Sequence, residues 1–197
     1  MTNGHLREPG IGGRTGVSPT PTRRQSVGGS GYAARVTPDV EEHIRVDVAP
    51  DRAYQAVADV RRIARWSPEC FGVWIYRRRD GVPTRFVGFN RRRGFVWFTN
   101  CRVLIADPER EFTFDVSTFG QPVARWGYRF TPVKGGTEVT EFWIDRRNRA
   151  AYVLGRIFTG KGTTIRPEVN REGMRRTLQR LKVELETTLP RAAADPD

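Results

Sequence analysis

The chain has few of the residues that carry most metal and nucleophile chemistry. It contains two cysteines, Cys70 and Cys101, and two histidines, His5 and His43, in 197 residues. At those spacings they build no metal-ligand pattern, so no metal and no cofactor are expected. Ser67, Cys70 and Cys101 have no nucleophile motif around them, and His43 falls on the outward parity of its strand, which argues against a hydrolase triad. Two cysteines so distant in sequence are expected to be reduced thiols of a cytoplasmic protein, with a disulfide between neighbouring elements as the other possibility. Long apolar runs are missing too. The longest is a few residues, such as Val103 to Ala106, where a membrane-spanning helix needs about 20. The N-terminus lacks the apolar core of a secretory signal. With a mean hydropathy of −0.56, a soluble chain is expected. Lysine is scarce: Lys134, Lys161 and Lys182 are three of 34 basic residues, and the rest are arginines. GC-rich codon usage alone produces that skew. The net charge of +12 is therefore weaker evidence for nucleic-acid binding than it first looks.

What is present is strand patterning. From Thr84 to Asp145 the chain alternates with period two, the signal of half-buried strands. Phe86 and Gly88 oppose Arg85 and Val87. Phe95, Trp97, Thr99, Cys101, Val103 and Ile105 form one face of the next run. Phe112, Phe114 and Val116 follow. Ala124, Trp126, Tyr128 and Phe130 then oppose Arg125, Gly127 and Arg129. Val139, Glu141 and Trp143 oppose Glu138, Thr140 and Phe142. The breaks Asp80-Gly81, Arg93-Gly94, Asp107-Pro108, Gly120-Gln121-Pro122 and Lys134-Gly135-Gly136 carry turn chemistry. Gaps this short make antiparallel neighbours.

The flanks complete an α+β pattern. Val40–Val48 and Phe71–Arg79 read as two further strands, for about seven in all. Pro50 opens a short helix bearing Tyr54 and Val57, and a second runs from about Val60 to Trp66 and stops before Pro68. Arg146 to Thr159 reads as helical, and Gly160–Thr164 as a flexible break. A long helix from about Pro167 to Leu189 carries Met174, Leu178, Leu181, Leu185 and Leu189 at steps of three and four. Residues 1–38 are rich in Gly, Pro, Ser, Thr and Arg and read as a disordered basic tail. The globular domain is then 39–190, and 191–197 should fray. A sheet with one apolar face needs a cover, and the last helix is the element long enough to give it.

Several stretches match a known family. They are Val48-Ala49-Pro50-Asp51-Arg52-Ala53-Tyr54, Asp59-Val60, and Arg65-Trp66-Ser67-Pro68-Glu69-Cys70. Next come Arg85-Phe86 with Gly88 and Asn90, Trp97 with Val103, and Pro108 with Phe112-Thr113-Phe114. Trp126-Gly127-Tyr128-Arg129-Phe130 and Gly135-Gly136-Thr137-Glu138-Val139-Thr140-Glu141 close the series. Over about residues 40–189 the chain resembles the helix-grip superfamily of START-like proteins (SRPBCC), and within it the polyketide cyclase/dehydrase and lipid-transport family. The resemblance implies a curved antiparallel sheet wrapped on the long C-terminal helix, with two short helices after the first strand. It implies no universal catalytic motif.

A curved sheet gripping one helix usually leaves a space that binds ligands. The residues expected to line it are Trp66, Phe86, Asn90, Trp97, Thr99, Phe114, Trp126, Tyr128, Glu141 and Trp143. Glu141 falls on an inward face, where a carboxylate must be paired or protonated. It and Tyr128 are the acid/base candidates. The other reading is a rim-facing Glu141 paired with an arginine, and a core tyrosine bonded to backbone. Gly155 to Gly162 nearly spells a phosphate-binding loop. It fails because Gly162 stands where Ser or Thr would hold magnesium, and because a helix rather than a strand precedes it. Arg77–Arg79 and Arg91–Arg93 flank two hairpin turns. There they blunt sheet edges or attract an anionic ligand, membrane or RNA.

The expected function is binding of a hydrophobic or aromatic small molecule, lipid-like or polyketide-like. The alternatives are a cofactor-free cyclase, aromatase or dehydratase, and a basic nucleic-acid or membrane-surface binder. Nucleic acid is not the expected partner, peripheral membrane contact stays open, and either a monomer or a homodimer fits.

Overall fold

A computed structural model describes residues 37–148 and 166–187. In chain order the elements are β1 (Val40–Val46), α1 (Pro50–Ala58), a 3-10 turn (Val60–Arg62), α2 (Ile63–Trp66), β2 (Cys70–Arg79), β3 (Val82–Arg92), β4 (Phe95–Asp107), β5 (Glu111–Thr118), β6 (Gln121–Val133), β7 (Gly136–Asp145) and α3 (Arg166–Thr187). The strands form one antiparallel sheet in the order β1-β7-β6-β5-β4-β3-β2, open and curved, with β1 and β2 as its edges. This is the α+β helix-grip arrangement expected. The tail up to Val36, the Gly155–Gly162 loop, the Gly160–Thr164 break, Leu189 and the 191–197 end lie outside the described residues. So does most of the helix expected from Arg146. Its first three residues leave β7 without regular structure, so that helix does not begin at Arg146.

Hairpin chemistry sets the register. Asp80 and Gly81 (φ 49° and 80°) and Arg93 and Gly94 (φ 46° and 83°) both sit at positive φ. That is the two-residue turn whose twist matches its strands. The expected alternation holds along β4 to Val103 and then fails. A bulge there pairs Val103 with Phe114 but Ile105 with Thr113. The extra residue, Leu104, turns Ile105 outward, where it is exposed.

The concave face is filled from two directions. Pro50 starts α1, and its Tyr54 meets Phe112 and Phe130 edge-on at 6.3 and 5.9 Å. α3 buries Met174, Leu178, Leu181 and Leu185, each contributing about 2 kcal/mol by removal from water. It runs closest to β1, with further contacts to β7 and α2. Polar ties fix it there. Glu184 accepts the Trp66 indole N–H at 2.6 Å and pairs with Arg62 at 2.6 Å and Arg65 at 3.3 Å. Glu42 of β1 pairs with Arg171 and Arg175, each at 3.2 Å. On the convex face, Phe142 lies over Gly127 while the Arg129 guanidinium stacks on its ring at 4.3 Å.

Candidate functional site

Between the first half of α3 and the inner faces of β2 to β7 lies a cavity of about 820 Å³. Its lining follows from strand parity. Inward residues of β3 supply Phe86, Gly88 and Asn90, and those of β4 supply Trp97, Thr99 and Cys101. β5 adds Phe114 and Val116, β6 adds Ala124, Trp126 and Tyr128, and β7 adds Glu141 and Trp143. α3 faces them with Val169, Asn170, Gly173 and Thr177. Of the ten residues expected at the site, the structure brings nine to this cavity. Trp66 is the exception. It is 1% exposed and bonded to Glu184, in the packing between α2 and α3 rather than on the cavity wall.

The polar groups divide into satisfied and unsatisfied. Asn90 donates to the Gly88 carbonyl at 3.2 Å and to Thr99 Oγ1 at 3.3 Å. Thr99 donates to the same carbonyl at 3.4 Å. These two are occupied with each other and with backbone. Deeper in, Tyr128 and Glu141 are direct register partners on β6 and β7. The phenol donates to Glu141 Oε1 at 2.9 Å. The arginine pairing weighed for Glu141 does not occur: its partner is this tyrosine. Among the described residues its other oxygen, Oε2, is buried without a hydrogen-bond partner, and so is Asn170 Nδ2 on α3. Buried polar atoms left without partners cost about 1–3 kcal/mol each.

Burial dominates the electrostatics. It pushes the Glu141 carboxyl up to about 8, and the Tyr128 hydrogen bond pulls only partly back. At neutral pH Glu141 is therefore mainly a neutral acid. Burial also raises the Tyr128 phenol, and the adjacent Glu141 adds to it. Cys101 is pushed up to about 12, first by burial, and Cys70 is raised by the same cause. Both cysteines are free thiols, unsuited as nucleophiles. Among the described residues no cluster of three or more His, Cys, Asp or Glu could hold a metal ion.

Sequence reasoning missed Asn170. The signal was available, because one helical step of four back from Met174 lands on it and so extends the buried stripe. The same reasoning singled out Arg91–Arg93 as a basic hairpin tip but did not place Arg92 and Arg93 on the cavity rim, and it did not single out Arg147 or Arg176 for it. Arg92, paired with Glu69 at 3.5 Å, lines the cavity with Arg93, Arg147 and Arg176.

The open curved sheet closed over by one long helix defines a START-like helix-grip protein. A family model described as polyketide cyclase/dehydrase and lipid transport matches residues 37–186, so the chain belongs to that family. No curated protein sequence matches it. Among solved structures it is similar to a START superfamily protein from Mycobacterium smegmatis, with TM-score 0.61, 13% identity, and coverage of 76% of this chain and 98% of that one. It is similar to protein CV1439 from Chromobacterium violaceum, with TM-score 0.56, 17% identity, and coverage of 75% and 96%. It is also similar to the di-domain ARO/CYC StfQ from the steffimycin biosynthetic pathway, with TM-score 0.55 and 16% identity. There it covers 75% of this chain and 50% of the other. Identities this low speak for the fold alone.

Proposed function

We propose that the protein binds a hydrophobic, flat or aromatic small molecule bearing a carbonyl oxygen. The ligand is polyketide-like or lipid-like and lies between the sheet and α3. The observation that carries this reading is the pair of buried, unbonded polar atoms, Glu141 Oε2 and Asn170 Nδ2, on an otherwise largely apolar and aromatic wall. A protonated Oε2 and an amide N–H are both donors. Acceptor oxygens on a ligand, such as a carbonyl, would satisfy them and offset their burial. The phenyl and indole faces of Phe86, Phe114, Trp97, Trp126 and Trp143 suit a flat partner. A cavity of about 820 Å³ is within the usual range for small-molecule sites.

The test is native mass spectrometry of freshly purified protein, with organic extraction of what it carries, followed by a thermal-shift panel of lipids and polyphenols. Tryptophan fluorescence reports occupancy, because three indoles line the cavity. Co-purifying ligand, or a panel compound that raises Tm and quenches the indoles, is expected. A protein that carries nothing and responds to no carbonyl compound in the panel defeats the reading.

One observation favours a second reading, an enzyme of the cyclase, aromatase or dehydratase kind. Glu141 and Tyr128 form a buried neutral acid pair that can donate a proton to a carbonyl and take one back. Folding the substrate inside the cavity would supply most of the rate through proximity. The ARO/CYC in the name of one structural relative is in line with this. Glu141→Gln with turnover intact would remove the assignment.

A further inference from the structure

The tip of the β3–β4 hairpin, beside the cavity mouth, carries an exposed apolar side chain on each face. Register pairs Arg92 with Phe95 on the cavity side and Arg91 with Val96 on the convex side. Phe95 is 56% exposed and Val96 64%. One register step inward, Asn90 and Trp97 line the cavity, while Phe89 and Phe98 pair on the convex face. There the rings continue as a row across the sheet. Phe71 lies 6.3 Å from Phe89, and Phe119 lies 5.6 Å from Phe98, all four open to solvent. An apolar patch of this kind on a highly charged chain calls for a partner.

Its border is cationic. Arg91 lies over the Phe71 ring at 5.7 Å, and Arg93 occupies the turn itself. Among the described residues neither has a carboxylate within ion-pair distance, whereas Arg92 beside them is paired with Glu69. β2, β3 and β4 place no acidic side chain before Asp107. A second copy of the chain would bring like charges together. The partner must combine anionic groups with an apolar layer beneath them.

We infer that the β3–β4 hairpin and its phenylalanine row dock on an anionic lipid bilayer. Phe95 and Val96 enter the interface, and Arg91 and Arg93 contact headgroup phosphates. The rings pack edge-on or tilted against one another, at 41° and 65°, and an aliphatic residue sits at the tip. That suits a continuous apolar layer better than separate stacked bases. In this orientation the cavity mouth, at Arg92, Arg93 and Trp97, faces the membrane. The inference stands whether or not the cavity reading does, because docking uses the exposed hairpin tip and the convex row of rings rather than the cavity interior.

The test is flotation of the full chain with vesicles of phosphatidylcholine containing about one third phosphatidylserine, against phosphatidylcholine alone. Expected are binding to the anionic vesicles, weakening as salt rises, and at least about tenfold less on the neutral ones. Phe95→Ser with Val96→Ser should weaken binding by at least about tenfold. Arg91→Ala with Arg93→Ala should weaken it by about fivefold per arginine. All four side chains are on the surface, and unchanged urea melts confirm folding. The basic N-terminal segment is common to every variant, so the hairpin's share is isolated. Equal binding to neutral vesicles, or a Ser pair that floats like the wild type, overturns the inference. So does tight binding to a single-stranded oligonucleotide with none to vesicles.

Discussion

Glu141→Gln should change how stability depends on pH in a calculable way. The Glu141 carboxyl has an ordinary value of 4.5 and is held at about 8 in the fold. Because the folded value is the higher one, Glu141's favourable contribution is complete below about pH 4.5. It is lost as pH rises through about 8, since the unfolded chain ionises freely and the folded chain resists it. The separation is roughly three and a half pH units, and each is worth about 1.4 kcal/mol. The full span is thus about 5 kcal/mol, a large part of the 5–15 kcal/mol that keeps a typical domain folded. Glutamine keeps the shape, accepts the Tyr128 hydroxyl through its own Oε1, and does not ionise. Glu42, the β1 residue opposite Glu141, is held by Arg171 and Arg175 in both proteins and cancels. Asp145 and Glu184, whose carboxyls are held low, cancel likewise. Urea denaturation of both proteins from about pH 5 to about pH 9, at constant ionic strength, gives the difference. The variant should gain on the wild type by about 1 kcal/mol per pH unit, levelling off above about pH 8. Parallel profiles would show that Glu141 ionises normally, and both the buried neutral acid and the enzyme reading would go with it.

Two further substitutions probe the frame around the site. In Gly127→Ala, the new methyl would lie 2.2 Å from Phe142 Cζ and 2.5 Å from Thr113 Oγ1. Arg129 stacking holds Phe142 in place, so a loss of about 2–3 kcal/mol in urea melts is expected, and an unchanged midpoint would contradict the packing. Glu184→Ala removes the acceptor of the Trp66 indole and the counter-charge of Arg62. Hydrogen bonds from Trp66 and Arg62 outweigh burial and hold that carboxyl low. The variant should lose about 2 kcal/mol at neutral pH and less in acid, where wild-type Glu184 is itself protonated; an equal loss at both would refute the ion-pair argument.

The sheet was legible because each strand buries one face, and burial writes itself as period two. Legibility ended where that coupling breaks. At Leu104 one extra residue reverses parity, and nothing in Val103-Leu104-Ile105-Ala106 marks which residue is the surplus one. The inward face of Glu141 was legible, but its partner was not. A turn read as Lys134-Gly135-Gly136 leaves the β6–β7 register open by one, whereas the observed two-residue turn pairs Val133 with Gly136 and so Tyr128 with Glu141. Trp66 sits in a helix of four residues, too short for periodicity to assign a face. Asn170 escaped because an amide on an apolar stripe resembles an interruption rather than a continuation.

The long helix divides its duties along its length. From Leu178 onward it sinks Leu178, Leu181 and Leu185 into the core and ties Lys182 to β1 and Arg180 and Glu184 to α2, while its opening turns contribute Val169, Asn170 and Gly173 to the hollow. Burial of leucines is thus left to the distal turns, while the opening turns share the chamber wall with the Arg171 and Arg175 ties to Glu42. Substitutions in the opening turns can resize the chamber, or change what it accepts, while the distal turns keep the domain shut. A single scaffold of this build can thus be retuned for new guests without first being made sturdier.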